Sequence, residues 1–264
     1  MPTITYREAI RQALREEMQR DEEVFLLGED IAEFGGSYKV TVGLVDEFGH
    51  ERVRNTPLAE NAIVGCALGA ALAGMRPVPE IMYIDFTACC LDQIVNEMAK
   101  SKYMFGGKAR TAVTVRTQGG SGRASAAQHA QSLESWFTHT PGIYVVMPST
   151  PYDAKGLLKT CIRDDNPIMF IEHKLLYNSK GEVPEEEYLI PLGKADVKRE
   201  GSDVTLITYS RGVEWSLAAA EELSKENINV EVIDLRSLKP LDEECFLESV
   251  VKTGRAVIVH EACK

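Results

Sequence analysis

The sequence predicts an α/β protein with a mainly parallel sheet, and three observations carry that prediction. Short, almost uninterrupted apolar runs recur, among them "VFLLGED" (Val24–Asp30), "PIMFIEH" (Pro167–His173) and "VTLITYS" (Val204–Ser210); strands buried on both faces read this way. Between the runs lie segments of helical length, so strand and helix alternate. A polar, proline-bearing and acidic stretch, "NSKGEVPEEEYLIPLG" (Asn178–Gly193), stops the alternation once, and it then resumes.

The elements follow in order. "TYRE" (Thr5–Glu8) is a capping box, and Tyr6, Ala9, Ile10, Ala13, Leu14 and Met18 recur at three and four, which predicts an amphipathic helix to about Arg20. "VFLLGED" is a buried strand ending in a turn. Residues 31–53, with "EFGGSYK", read as an ordered surface loop and a short helix. Glu60–Gly74 is helical by length and composition, and "RPVPEIMYIDF" is the next strand. A helix from Leu91 to Phe105 closes on Gly106 and Gly107. "TAVTVRTQ" is a strand, and "GGSGRASAAQHAQS" is a glycine- and serine-rich loop of the kind that approaches a ligand. After the strand "IYVVMPS", Pro151 opens a helix at its favoured first position, and "PIMFIEH" closes the first unit.

The second unit reads as the strand "VTLITYS", the helix "GVEWSLAAAEELSKEN", the strand "INVEVIDLR", a helix over Asp242–Lys252 and the strand "AVIVHEA". The expected organisation is a first domain over 1–180, a linker over 181–193 and a smaller α/β domain over 194–264. Two helices cover both faces of three strands poorly, so the second domain is expected to be shortened and incomplete.

Composition excludes several classes. The formal net charge of −11 argues against a nucleic-acid or anionic-membrane surface. The longest apolar run is broken by glycines and stays short of a membrane span. "MPTITYREAI" has no basic region followed by an apolar core, so no secretory signal and a cytoplasmic location are expected. The six cysteines form no CxxC pair and read as buried, reduced thiols; the five histidines show no metal-ligand spacing.

"NTPLAENAIVGCALGAALAG" (Asn55–Gly74) poses the functional question, because one carboxylate, Glu60, opens a helix with no other charge. Acids in a first turn usually complement the helix dipole. Here glycines and alanines fill the helix, and without a polar face it is expected to be buried on most sides. A carboxyl group in that position suits an acid that shares a proton with a ligand.

At this point the sequence resembles a family. "TPLAENAIVGCALGAALAGMRPVPEIMYIDF", "MFGGK", "AAQHAQSLESWFTHTPGIYVVMPSTPYDAKGLLKTCIRDDNP" and "EHKLLYNSKGEVPEE" are similar to the β subunits of the thiamine-diphosphate-dependent 2-oxo acid dehydrogenases, in the same order and over essentially the whole chain. The resemblance implies a transketolase-like pyrimidine-binding domain with helices on both faces of its sheet, followed by a transketolase C-terminal-like domain. It implies an oxidoreductase component that adds its cofactor to a carbonyl, expels carbon dioxide or acetaldehyde and passes the acyl unit to a lipoyl acyltransferase core. "EHKLLYNSKGEVPEE" is most similar to the acetoin-cleaving branch, with pyruvate next and branched-chain 2-oxo acids third.

The same resemblance assigns residues. Glu60 matches the glutamate that hydrogen-bonds the cofactor's pyrimidine nitrogen, a general acid–base relay. Leu58, Met82 and Phe86 match positions that hold the pyrimidine ring, Phe86 by stacking. His129 in "AAQH" matches a histidine of the active-site channel, implicated in proton supply, whereas His139 reads as structural. "CIRDDNP" matches a monovalent-cation loop in which Cys161, Ile162, Asp164 and Asn166, with Val113, would surround potassium. No GDG motif for magnesium and diphosphate occurs. An α subunit would therefore supply magnesium and that half of the site, in an α2β2 heterotetramer with a β–β contact. The alternatives are a nucleotide- or flavin-binding module, disfavoured by the lack of GxGxxG after a strand, and a non-catalytic scaffold, disfavoured by the presence of Glu60, Phe86 and His129.

Overall fold

The computed structural model describes residues 1–263. The chain enters through β1 (Thr3–Thr5), and Thr5 caps α1 (Tyr6–Arg20). The capping box forms: Glu8 N–H donates to the Thr5 side chain, and the Thr5 N–H donates to the Glu8 carboxylate at 2.8 Å. There follow β2 (Val24–Gly28), α2 (Leu44–Phe48), β3 (Val53–Asn55), α3 (Glu60–Leu72) and β4 (Arg76–Ile81). A 3-10 run (Ile84–Cys90), a π-helical segment (Gln93–Met98) and α4 (Ala99–Met104) lead to β5 (Thr114–Gly119). Then come α5 (Glu134–Thr138), β6 (Tyr144–Val146), α6 (Pro151–Arg163), β7 (Ile168–His173) and β8 (Lys180–Glu182). The remainder is β9 (Asp196–Arg199), β10 (Val204–Thr208), α7 (Gly212–Ser224), β11 (Val230–Asp234), β12 (Ser237–Lys239), α8 (Glu243–Thr253) and β13 (Ala256–Ile258).

The main sheet has the order β12-β6-β7-β5-β4-β2-β3, parallel except for β12. Side-chain alternation divides its core. Val24, Leu26, Val78 and Phe170 face α1 and α6; Phe25, Leu27, Val115 and Ile171 face α3 and the 3-10 and π-helical segments. The second sheet has the order β13-β10-β11-β9, with β9 antiparallel. Both sheets carry helices, as the sequence predicts.

Several expectations are corrected. The strand expected over "RPVPEIMYIDF" ends at Ile81, because β4 pairs with β5 only at Glu80 and Ile81 and the chain then coils into the 3-10 run. The helix expected over Leu91–Phe105 is π-helical in its middle. The helix at Glu60 is not buried on most sides. Ile63, Val64, Ala67, Leu68 and Ala71 face the core, while Ala62, Cys66, Gly69 and Leu72 form a second stripe, of small residues but for Leu72, that faces outward. Cys66, Cys89 and Cys263 are exposed rather than buried, and no disulfide joins the described cysteines.

Short strands also escape sequence reading. β1 and β8 form a separate antiparallel pair, so the polar linker starts as a strand. It then lies along α6, where the Ile190 carbonyl accepts from Thr160 Oγ1 at 2.8 Å. β9 and β12 extend the second unit, and β12 crosses over to join the main sheet beside β6. Among the described residues no helix is long and apolar enough to cross a membrane.

Candidate cofactor-facing site

Parallel strands place their following turns along one edge, and ligands of open α/β sheets bind at that carboxyl edge. Glu29 follows β2; Leu58 and Glu60 follow β3; Met82, Asp85 and Phe86 follow β4; His129 follows β5; His173 ends β7. Glu60 stands at the first position of α3, whose N-cap Ala59 has no side chain to offer the helix amides. It is partly buried, as are Met82, Phe86 and His129. The Phe86 and His129 rings meet edge to face with centroids 5.2 Å apart, and Tyr83 approaches His129 at 5.5 Å. Leu58 is not gathered in, since it is 82% exposed at the rim.

The structure adds residues that sequence reading missed. Glu29 is buried, and burial together with the negative charges of Glu60, Asp30 and Glu80 pushes its carboxyl up to about 7. Asp85 Oδ1 accepts from Gln131 at both the backbone N–H (3.2 Å) and the side-chain amide (2.9 Å). Lys174 is buried, lies over the Tyr83 ring at 4.6 Å and donates to the His129 carbonyl. Burial lowers the Lys174 pKa from its ordinary value, against the pull of Asp85. One signal was available in the sequence, since each of these groups sits just beyond the carboxyl end of a buried apolar run.

Beneath the edge, Arg116 is held between two carboxylates. Its Nε and Nη2 donate to Glu172 at 2.6 and 2.9 Å, and Nη1 donates to Glu80 at 2.7 Å. Such a buried, fully paired network fixes β4, β5 and β7 relative to one another.

No ligand is present, but the edge suits a group with a polar heterocycle. Three buried polar atoms there lack hydrogen-bond partners among the described residues: Glu29 Oε1, Asp85 Oδ2 and His129 Nδ1. Buried polar atoms are nearly always paired, and Met82 and Phe86 supply apolar surface beside them. The residues therefore fit an aminopyrimidine cofactor.

The residues expected to hold potassium gather at the opposite, amino edge. Val113 precedes β5, and its carbonyl accepts from Ile168 N–H at 2.9 Å. The Asp164 N–H reaches the Cys161 carbonyl at 3.3 Å, and Asn166 N–H donates to Asp164 Oδ1 at 2.7 Å. Two side-chain cations already serve this loop. Arg76 donates to the carbonyls of Ile162 (2.9 Å) and Asp164 (3.0 Å), and Lys102 donates to Asn166 Oδ1 at 2.7 Å.

The profile of the transketolase pyrimidine-binding domain matches residues 2–180, and that of the transketolase C-terminal domain matches residues 193–264. The chain is 49% identical to the 2-oxoisovalerate dehydrogenase subunit β of Bacillus subtilis, covering 100% of this chain and 81% of that one. It is 52% identical to the acetoin:2,6-dichlorophenolindophenol oxidoreductase subunit β of Cupriavidus necator, covering 96% and 78%. It is 51% identical to the pyruvate dehydrogenase E1 component subunit β of Bacillus subtilis, covering 100% and 82%. A solved split-gene transketolase, described as an inactive β4 tetramer, superposes with a TM-score of 0.82 at 24% identity over 98% of this chain and 79% of that one, a likeness of fold.

Proposed function

The chain belongs to the β subunits of the thiamine-diphosphate-dependent 2-oxo acid and acetoin dehydrogenases, and we propose from that premise that it is the β chain of an acetoin-cleaving component. It is an oxidoreductase subunit that works with an α subunit. The observation that carries the site assignment is Glu60 at the head of α3 on the carboxyl edge of the sheet, the same edge on which Phe86 and His129 are in ring contact.

When bound, thiamine diphosphate supplies a nucleophilic carbon that adds to the substrate carbonyl. This chain contributes the protein side of the pyrimidine half of the site. Glu60 offers its carboxyl group to the pyrimidine nitrogen as the acid–base partner, and the neighbouring Glu29 carboxyl is pushed up to about 7 by burial and by the charges around it. Phe86, Met82 and Leu58 orient the ring; Leu58 does so from the rim, where a partner surface would cover it. His129 holds or gives a proton beside the reacting atoms, its carbonyl fixed by Lys174.

Magnesium and the diphosphate belong to the α subunit in this reading, since the GDG motif is lacking. Potassium is proposed at Val113, Cys161, Ile162, Asp164 and Asn166, with Arg76 taking one lone pair of the Ile162 carbonyl. The acyl unit passes to a lipoyl acyltransferase, and the assembly is an α2β2 heterotetramer in which the outward small-residue stripe of α3 is covered. A cytoplasmic location fits this role.

Substrate choice is tested by joining the chain to its α subunit and following thiamine-dependent dye reduction with acetoin, pyruvate and a branched-chain 2-oxo acid in parallel. Acetoin is expected to give the highest kcat/KM. A preference for either 2-oxo acid would move the assignment to that branch, and no turnover with any of the three would sink it. Calorimetry on the β chain alone is expected to show little or no magnesium-dependent binding of thiamine diphosphate; tight binding would refute the divided site.

A further inference from the structure

Glu261 follows the last strand of the second domain, yet its carboxylate lies inside the first. Oε1 accepts from the backbone N–H of Ser121 at 2.7 Å and from the Ser132 hydroxyl at 3.2 Å, while Oε2 lies 3.1 Å from His173 Nε2. Leu175 N–H donates to His173 Nδ1 at 3.1 Å, so the ring proton sits on Nε2 and points at Glu261. Burial pushes the Glu261 carboxyl up, but the hydrogen bonds from His173, Ser121 and Ser132 outweigh it and hold the group at about 2.

Ser121 and Ser132 are the two ends of the glycine- and serine-rich loop that carries His129. Its neck is closed by Gly120 N–H donating to the Gln131 carbonyl at 3.1 Å. On the return side, Asp85 and Lys174 hold Gln131 and His129. Among the described residues, the backbone of the outgoing side is tied to the rest of the protein by the Glu261 bond at Ser121, its other bond being local, from Ser125 Oγ to the Arg123 carbonyl at 3.5 Å, and residues 121–128 are exposed. Ala124 (φ 51°) and Ala126 (φ 65°) sit in the left-handed region without being glycine, a conformation that persists only where the surroundings impose it. Gly120 has φ +90°, and a Cβ there would come within 2.1 Å of His173 Nε2, so the neck lies flush against the His173–Glu261 pair.

We propose that Glu261 is a positioning residue: it clamps both ends of the 120–132 loop from the second domain and thereby sets where His129 stands. The second domain then shapes the site without touching substrate. The proposal rests on the assignment of His129 to the reaction, and the test separates the two.

The variants are Glu261→Ala, Glu261→Gln, Gly120→Ala and His129→Ala, each in the assembled α–β complex. Hydrogen exchange over residues 120–132 and steady-state kinetics are read together. Glu261→Ala is expected to speed exchange in the loop about 10-fold or more, the scale of losing hydrogen bonds to a charged acceptor. It is also expected to lower kcat up to about 10²-fold, with KM and the thermal midpoint little changed. Glu261→Gln keeps an acceptor for Ser121 and Ser132 and should fall between wild type and Glu261→Ala. Gly120→Ala, which pushes the pair apart without altering Glu261, should reproduce the alanine phenotype. Loop exchange at the wild-type rate in Glu261→Ala would overturn the clamp. So would a loosened loop with wild-type kcat while His129→Ala is impaired. If both variants turned over normally although the loop is loosened, the clamp would stand and the role of His129 would fall.

Discussion

Phe170 in the main sheet and Ile258 in the second sheet are both apolar strand residues, yet Phe170 is fully buried and Ile258 is 69% exposed. The main sheet is covered on one face by α1 and α6 and on the other by α3 and the segments after β4. In the second sheet Leu206, Val230 and Val232 pack with Ala220 of α7 on one face, Ile207 and Ile233 lie under α8 on the other, and the edge strand β13 is open. The contact between the two units sets a cluster of charges beside the apolar packing of Tyr209 and Leu238 on the first core. Asp153 at the head of α6 receives Arg236 Nη2 at 2.7 Å and Lys198 Nζ at 2.8 Å, and Tyr209 OH donates to Glu134 at 2.8 Å. Within that cluster burial and the Asp153 charge raise the Asp234 pKa, while the Asp153 pKa is lowered, Lys198 and Arg236 prevailing over its own burial.

The difference teaches where chemistry can be kept. At the main-sheet edge the Glu29 carboxyl is displaced by burial and by the charges of Glu60, Asp30 and Glu80; in the second sheet the comparable displacement, at Asp234, falls in the junction with the first unit. The second sheet has a thinner core and a charged junction, as interfaces between domains of one chain commonly do. It suits a part that adjusts the site over a part that performs the reaction.

The comparison can be broken or sharpened by experiment. The largest effect is expected for Glu60→Gln, which should cost on the order of 10²- to 10⁴-fold in turnover while leaving hydrogen exchange in both domains as in wild type. Near-normal activity in an assembled variant would remove the acid from the main-sheet edge. Phe170→Ala comes next and should destabilise the first domain by about 3–5 kcal/mol, read as a lower denaturant midpoint for exchange of β5 and β7. A cost as small as that at an exposed position would erase the contrast between the sheets.

Glu29→Gln tests the main-sheet edge through pH. The native carboxyl titrates at about 7 against an ordinary 4.5, so the folded state holds its proton more tightly than the unfolded one. Its unfavourable contribution is absent below pH 4.5, grows as pH rises through that window and is complete above pH 7. The stability of Glu29→Gln relative to wild type should therefore rise between pH 5 and 7 and then level off; a flat difference would put Glu29 in water. The smallest effect belongs to Ile258→Ala, within about 0.5 kcal/mol of wild type as for other surface changes. A loss of several kcal/mol there would mean that β13 is covered in the assembly.

Much of the architecture was legible because it is local. The Thr5–Glu8 capping box, Pro151 at the first position of α6 and the runs at Val24, Ile168 and Val204 all act over a few residues, and each appears where the pattern puts it. Glu60, Met82, Phe86 and His129 were legible through their resemblance to a family, and they fall along one edge because parallel strands bring their carboxyl ends together. Glu29, Asp85, Lys174 and His173 were not singled out, since an isolated charge after an apolar run means little until neighbouring strands are known.

The amino-acid sequence by itself determined the alternation of strand and helix, the division into two units and the acid at the head of α3, because hydrophobic period, caps and composition are properties of short segments. Tertiary structure alone decided that "SLK" at β12 leaves its own unit to pair with Val145 and Val146 of the main sheet. It decided that α3 keeps one apolar stripe outward, and that Glu261 meets the amide of Ser121 across 140 residues of chain. Those outcomes depend on the register and closure of whole sheets, and short-range pattern carries no record of which distant group a buried charge will find.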